Sequence, residues 1–150
     1  MPAQLNFPSY TFRFKSNENK MLIFDVLRKK FVQLTPEEWV RQHCVHYLIE
    51  DRKYPKSLLS VERQINLHGV TKRYDIVGFK PDGAIQLVVE CKAPGITITQ
   101  EVFDQIARYN MILNADYLML TNGKAHYFCR MNYKEGKYEF LREIPLYSSE

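Results

Sequence analysis

Three stretches of the chain carry short apolar runs with the period-two character of strands. They are "SVERQINLHG", "KRYDIVGF" and "AIQLVVECK", and the last two are joined by a turn at Pro81, Asp82 and Gly83. A different spacing rules "LTPEEWVRQHCVHYLIEDRKYP", where Val40, Cys44, Tyr47 and Leu48 recur at helical intervals. Thr35 suits the N-cap of that helix, Pro36 its first position, and Glu38 completes a T-x-x-E capping box. The helix is predicted to end near Glu50, before Pro55. After the break at "APGI", Thr97 or Thr99 caps a second helix through "QEVFDQIARYNMILN". "DYLMLTNG" and "AHYFCRMN" read as two strands around a turn at Asn122 and Gly123, and "KYEFLREIPLY" ends with strand-like alternation. Near the start, "YTFRFKSNENK" alternates aromatic and basic residues and is followed by "MLIFDVLRKKFVQL". Together they predict a short strand pair covering an edge of the fold. The expected architecture is α/β, a mixed central sheet flanked by helices, built as one domain over residues 1–150 without internal repeats.

Two charges interrupt the apolar strands. Successive strand side chains face opposite ways, so Ile85, Leu87, Val89 and Cys91 are predicted to share one face, and Gln86, Val88, Glu90 and Lys92 the other. Asp75 shares a side with Val77 and Phe79, and pairing across the turn brings it beside Glu90. Carboxylates held that close raise each other's pKa unless a cation lies between them, and a hard divalent ion such as magnesium is the natural partner. Lys92 adds an ammonium group able to stabilise the negative charge that develops on a phosphate under attack. Acid, acid and lysine suit phosphodiester hydrolysis. A plainer reading of the same charges is a set of surface ion pairs, Asp75 with Arg73 or Lys72 and Glu90 with Lys92, each worth about 0 to 1 kcal/mol.

Composition narrows the setting. The 150 residues are 45% hydrophobic, and 21 Lys and Arg stand against 17 Asp and Glu, a net charge of +4 with a pI near 8.9. That balance permits a polyanionic partner. Cys44, Cys91 and Cys129 are odd in number and widely spaced, which supports neither a disulfide framework nor a metal knuckle and fits a reducing, cytoplasmic setting. No run approaches the roughly 20 apolar residues of a membrane span, and the start lacks the pattern of a secretory signal. Neither GxxxxGK nor GxGxxG occurs, so ATP chemistry would have to come from another chain. His43 and His46 lack an HExxH context and read as ordinary helix residues, Trp39 as packing, and "LRKKF" as a basic run able to track a DNA backbone.

Asp75 followed by Glu90-x-Lys92 on the next strand resembles the PD-(D/E)xK nuclease signature, with Tyr74 in the place of the proline. Joined to "ECKAP", to Gln105-x-x-x-Tyr109 within "LVVECKAPGITITQEVFDQIARYN", and to "YLMLTNG", the pattern is similar to the amino-terminal nuclease domain of type I restriction enzyme R subunits, from about Pro36 to Tyr127. The resemblance implies a restriction-endonuclease-like fold and a magnesium-dependent endonuclease, with manganese as a substitute. It implies Asp75 and Glu90 as metal ligands, the Cys91 carbonyl as a further ligand, Lys92 as the catalytic lysine, and an acid from the first helix near the metal. Glu37, sharing the inward face with Val40, Arg41, Cys44 and Leu48, is preferred for that acid over the capping Glu38. Gln105 and Tyr109, one turn apart on the second helix, are the implied supporting or DNA-contacting pair. DNA is the implied partner, together with a helicase-like motor or restriction complex, and a homodimer would reach both strands. The Cys91 thiol itself reads as buried core. The alternative is a DNA-binding or assembly module of such a complex without catalysis of its own.

Overall fold

The computed structural model describes residues 2–149 and contains two sheets. A three-stranded antiparallel sheet comprises β1 (Phe14–Asn17), β2 (Lys20–Asp25) and β3 (Lys30–Gln33) in sequential order. The main sheet runs β4 (Leu59–Leu67), β5 (Val70–Phe79), β6 (Ile85–Cys91), β7 (Tyr117–Thr121), β8 (His126–Asn132) and β9 (Lys137–Leu141), also in sequential order. Every neighbouring pair in it is antiparallel except β6 and β7, which are parallel. The parallel pair needs a crossover, and the second helix, α2 (Gln100–Asn110), supplies it. The first helix, α1 (Pro36–His46), continues through a π-helical turn at Tyr47–Asp51, so the helical path stops where the sequence predicts.

The caps follow local chemistry. Thr35 Oγ1 accepts from the Glu38 N–H at 3.0 Å, and of the two threonines before α2 it is Thr99 that accepts, from Val102 N–H at 3.2 Å. The Glu38 side chain forms no reciprocal bond to Thr35, because it is drawn into a buried ion network instead.

One helix covers each face of the main sheet. Val40 and Cys44 of α1, with Leu48 of the π-helical turn, pack with Ile76, Leu87, Val89, Cys91, Met119 and Phe128. Phe103 and Ala107 of α2 pack with Tyr74, Val77, Val88, Leu118, Leu120 and Cys129. Strand β6 is therefore buried on both faces, and the predicted polar face carrying Gln86, Val88 and Glu90 is in fact enclosed. Ile85 departs from the predicted set: it packs on the α2 side, beyond the register shift at Gly78 and Phe79. At the amino end a three-stranded sheet replaces the expected strand pair, because "KFVQ" adds a third strand. At the carboxyl end pairing stops at Leu141, and buried Ile144 returns to the α1 side, its carbonyl accepting from Arg52 Nη1 at 2.7 Å. No helix among the described residues is long and apolar enough to cross a membrane.

The turn between β7 and β8 depends on Gly123, whose φ of +88° disfavours any residue with a Cβ; a methyl group there would lie 2.8 Å from Leu5 and 3.1 Å from Val40. Gly123→Ala is expected to cost about 2 kcal/mol or more. Urea denaturation should show this as a lower midpoint at an unchanged slope.

Candidate active site

Asp75 and Glu90 sit on adjacent antiparallel strands. The ladder pairs Val77 with Val88 and ends at Ile76 with Val89, and Asp75 and Glu90 are the next residue on each strand, close enough for the Asp75 charge to act on Glu90. There the Asp75 side chain takes over: its Oδ2 accepts the Cys91 backbone N–H at 2.7 Å. Each carboxylate also has a resident cation. Arg41 of α1 reaches Asp75 Oδ1 at 3.1 Å, and Lys72 of β5 reaches Glu90 Oε1 at 3.1 Å. The Lys72 ammonium lies 4.6 Å from the centre of the Tyr74 ring and 4.7 Å from that of Tyr109. Lys92, the first residue past β6, is half-buried and fixed by its backbone N–H, which donates to the Thr121 carbonyl of β7 at 2.8 Å. Its charge acts on both carboxylates.

Burial dominates the electrostatics. It raises the pKa of Asp75 against the opposing pull of the Cys91 N–H, Arg41 and Lys92, and the negative charge of Glu37 adds to the rise. Burial likewise raises that of Glu90, with Lys72 the main opposing influence and Asp75 reinforcing the rise. The two acids are thus held ready to gain from a nearby cation.

Beneath them lies a network that the sequence pattern does not announce. Arg41 donates twice to Glu38, at 2.7 and 3.0 Å, and Gln42 Nε2 donates to Glu38 and to Asp25, each at 2.9 Å. Arg28 joins Asp25 at 2.8 Å and Glu38 at 3.0 Å, and both arginines reach Glu62 at 3.3 and 3.5 Å. Burial opposes ionisation of Glu38, yet the bonds from Arg41 and Gln42 prevail and its pKa is lowered. Arg41, on the predicted inward face with Val40 and Cys44, was the available signal, since such a group is buried only with partners.

The remaining expected residues separate. Glu37 is exposed and not on the inward face, although its charge is felt at Asp75; the buried acid of α1 is Glu38. Tyr109 borders the site through Lys72, while Gln105 lies exposed on the outer side of α2. The Cys91 thiol turns into the core, 3.8 Å from the Cys44 sulfur, and its bond to Cys44 together with burial pushes its pKa up. His43 Nδ1 donates to the Trp39 carbonyl at 2.9 Å, and both His43 and His46 pack against Phe12. The plainer surface pairing is corrected in its partners: Asp75 pairs with Arg41, and Lys72 with Glu90.

Residues 36–145 match the family model described as the type I restriction enzyme R protein N terminus. The chain belongs to this family. Among solved structures it is similar to a fragment of a putative HsdR subunit of a type I restriction enzyme from Vibrio vulnificus YJ016, with 21% identity and a TM-score of 0.50 over 75% of this chain. That likeness shows the fold, and the match spans 24% of the fragment's length. None of the curated proteins matches. The family match begins at α1, so Asp75, Glu90, Lys92, Gln105 and Tyr109 fall inside it and the three-stranded sheet falls outside.

The raised pKa of Glu90 sets a pH test within this R-subunit domain. The fold holds that proton more tightly than the unfolded chain does, so no penalty applies below the ordinary value of 4.5, and stability is lost as pH rises through the raised value. Glu90→Gln does not titrate. With metal chelated, its melting temperature is expected to equal that of wild type near about pH 4 and to exceed it once the pH has risen through the raised value. A constant gap across the series would mean that Glu90 ionises as freely in the fold as out of it.

Proposed function

We propose that this R-subunit amino-terminal domain is a DNA-binding, magnesium-dependent endonuclease that hydrolyses phosphodiester bonds in the cytoplasm, with manganese able to replace magnesium. The observation that carries the reading is the placement of Asp75 and Glu90 on paired strands, within reach of each other's charge, with Lys92 immediately beyond the second.

The donor set fits such an ion. No group of three or more His, Cys, Asp or Glu suited to a metal occurs among the described residues, which argues against a closed all-protein cage. Magnesium needs only one or two carboxylates and keeps several waters, as two neighbouring acids allow. Asp75 and Glu90 would hold it, with the Cys91 carbonyl as a further oxygen donor, while the exposed Glu37 acts on the site through its charge alone. When bound, the ion supplies Lewis acidity towards a phosphoryl oxygen and makes water easier to deprotonate.

The chain's own groups do the rest. Arg41 and the Cys91 N–H fix the Asp75 carboxylate from two sides, and Lys72 fixes Glu90. The Lys92 ammonium stabilises the charge that accumulates on the phosphate. Tyr109, and Gln105 on the exposed side of the same helix, face the solvent from which DNA approaches. The partners that fit this role are DNA and the motor and other subunits of a restriction complex, and a second copy of the domain would serve the second strand.

Isothermal titration of magnesium and manganese, paired with a plasmid-nicking assay, tests the proposal. Asp75→Ala/Glu90→Ala is expected to abolish metal binding and nicking. Lys92→Ala is expected to keep metal binding and to lose about 100-fold or more in nicking rate. A wild type that neither takes up metal nor cuts would sink autonomous catalysis and leave a non-catalytic DNA-binding module.

A further inference from the structure

The positive charge of the chain is not spread evenly. Residues 13–33 contain six basic and two acidic residues, and the remaining residues contain fifteen of each sign. The whole net charge of +4 therefore resides in the small sheet, which lies outside the family-matched segment. Of its acids, Asp25 is buried and paired with Arg28, so only Glu18 at the β1 to β2 turn opposes Arg13, Lys15, Lys20, Lys29 and Lys30, all five of them exposed.

The sheet's two faces explain the aromatic and basic alternation of residues 10–15. Phe12 and Phe14 pack towards α1, with ring centres 5.0 and 6.1 Å from Trp39, while Ile23 is buried beneath the same side. Arg13 and Lys15 belong to the other face. The Arg13 guanidinium lies 4.5 Å from the centre of the Phe24 ring and 5.6 Å from that of Phe31, and the Lys15 ammonium lies 5.6 Å from Phe31. Phe24 and Phe31 are cross-strand partners in edge contact at 5.3 Å. Long cationic side chains are thereby held in place on a rigid platform, which reduces the entropy lost when they meet an anion. Like charges gathered on one face repel, and a polyanion relieves them. Met21 of β2 and Leu34 just past β3 line one groove with Trp39, Pro94 and Gly95, the last two in the loop that follows Lys92.

We propose that the outer face of the β1–β3 sheet, with Arg13 and Lys15 over the Phe24 and Phe31 rings and Lys20 beside the β1 to β2 turn, and with exposed Lys29 and Lys30 at the sheet's edge, docks the phosphate backbone of duplex DNA independently of sequence. This rests on the DNA-processing role proposed above. Contacts of this kind release counterions, so affinity falls with salt by a log–log slope of about 0.9 per phosphate contact.

Fluorescence anisotropy on a labelled duplex across a salt series tests it. Arg13→Ala/Lys15→Ala/Lys20→Ala is expected to weaken binding about tenfold or more at low salt and to make the slope shallower by about two to three. A control with the same charge change elsewhere, Lys56→Ala/Lys124→Ala/Lys134→Ala, is expected to bind like wild type, as is the charge-preserving Lys15→Arg/Lys20→Arg. Equal losses in the two alanine variants, no loss in either, or loss in the arginine variant would overturn the proposal. So would a wild type that binds anionic phosphatidylserine vesicles or RNA but no duplex. Asp75 and Glu90 are untouched in these proteins, so magnesium uptake by the sheet variant should equal that of wild type. Failure of the nuclease reading appears separately, as absent metal uptake in wild type itself.

Discussion

Two carboxylates on paired strands, half-buried Asp75 within β5 and buried Glu90 near the end of β6, are the constraint around which this fold is arranged. Asp75 and Glu90 each lose most of their hydration, and each would repel the other if left alone. The molecule answers with cations from different directions: Arg41 from α1 and Lys72 from β5 itself, with Lys92 acting on both. Because Arg41 reaches Asp75 from the helix that covers one face of the sheet, neutralising the acid also fixes α1 against β5. Replacing either partner alone would leave a buried charge uncompensated, a far larger cost than the worth of an exposed pair.

The position of the acids in the sheet follows from strand order. Strand β6 lies inside the main sheet, bonded to β5 on one side and β7 on the other, and helices cover both its faces. Only its end can hold an ionised group near solvent, and Glu90 and Cys91 are its last residues. The parallel step from β6 to β7 sends the chain away through α2, which brings Tyr109 back over Lys72. A single crossover thus closes one core face and lines one side of the site.

Much of this was legible beforehand. Strand periodicity and a short turn place Asp75 opposite Glu90, and capping chemistry locates both helices, because these are local rules that a few adjacent residues satisfy by themselves. What escaped is what depends on distant pairing. Lys72 looked like a partner for Asp75 until the sheet set it against Glu90. Glu38 looked like a reciprocal cap until Arg41, Gln42 and Arg28 drew its carboxylate inward, which left Glu37 outside. Ile85 changed sides because the register shifts at Gly78 and Phe79, and periodicity alone carries no sign of a bulge.

The same ion network joins the two sheets. Asp25 at the end of β2 bonds Arg28 and Gln42; Arg28 and Gln42 bond Glu38; Glu38 bonds Arg41; and Arg41 bonds Asp75. Every step is a direct contact, and Asp25, Glu38, Arg41 and Gln42 are buried. Asp25 and Arg28 lie outside the family-matched segment, whereas Glu38, Arg41, Gln42 and Asp75 lie within it. The small sheet is therefore anchored through charges that must be satisfied, and burial makes those bonds costly to leave unmade. A sheet that merely shielded an edge would need only apolar contact. Anchorage by buried ion pairs fixes its orientation as well, and that holds its basic outer face in a constant relation to Asp75.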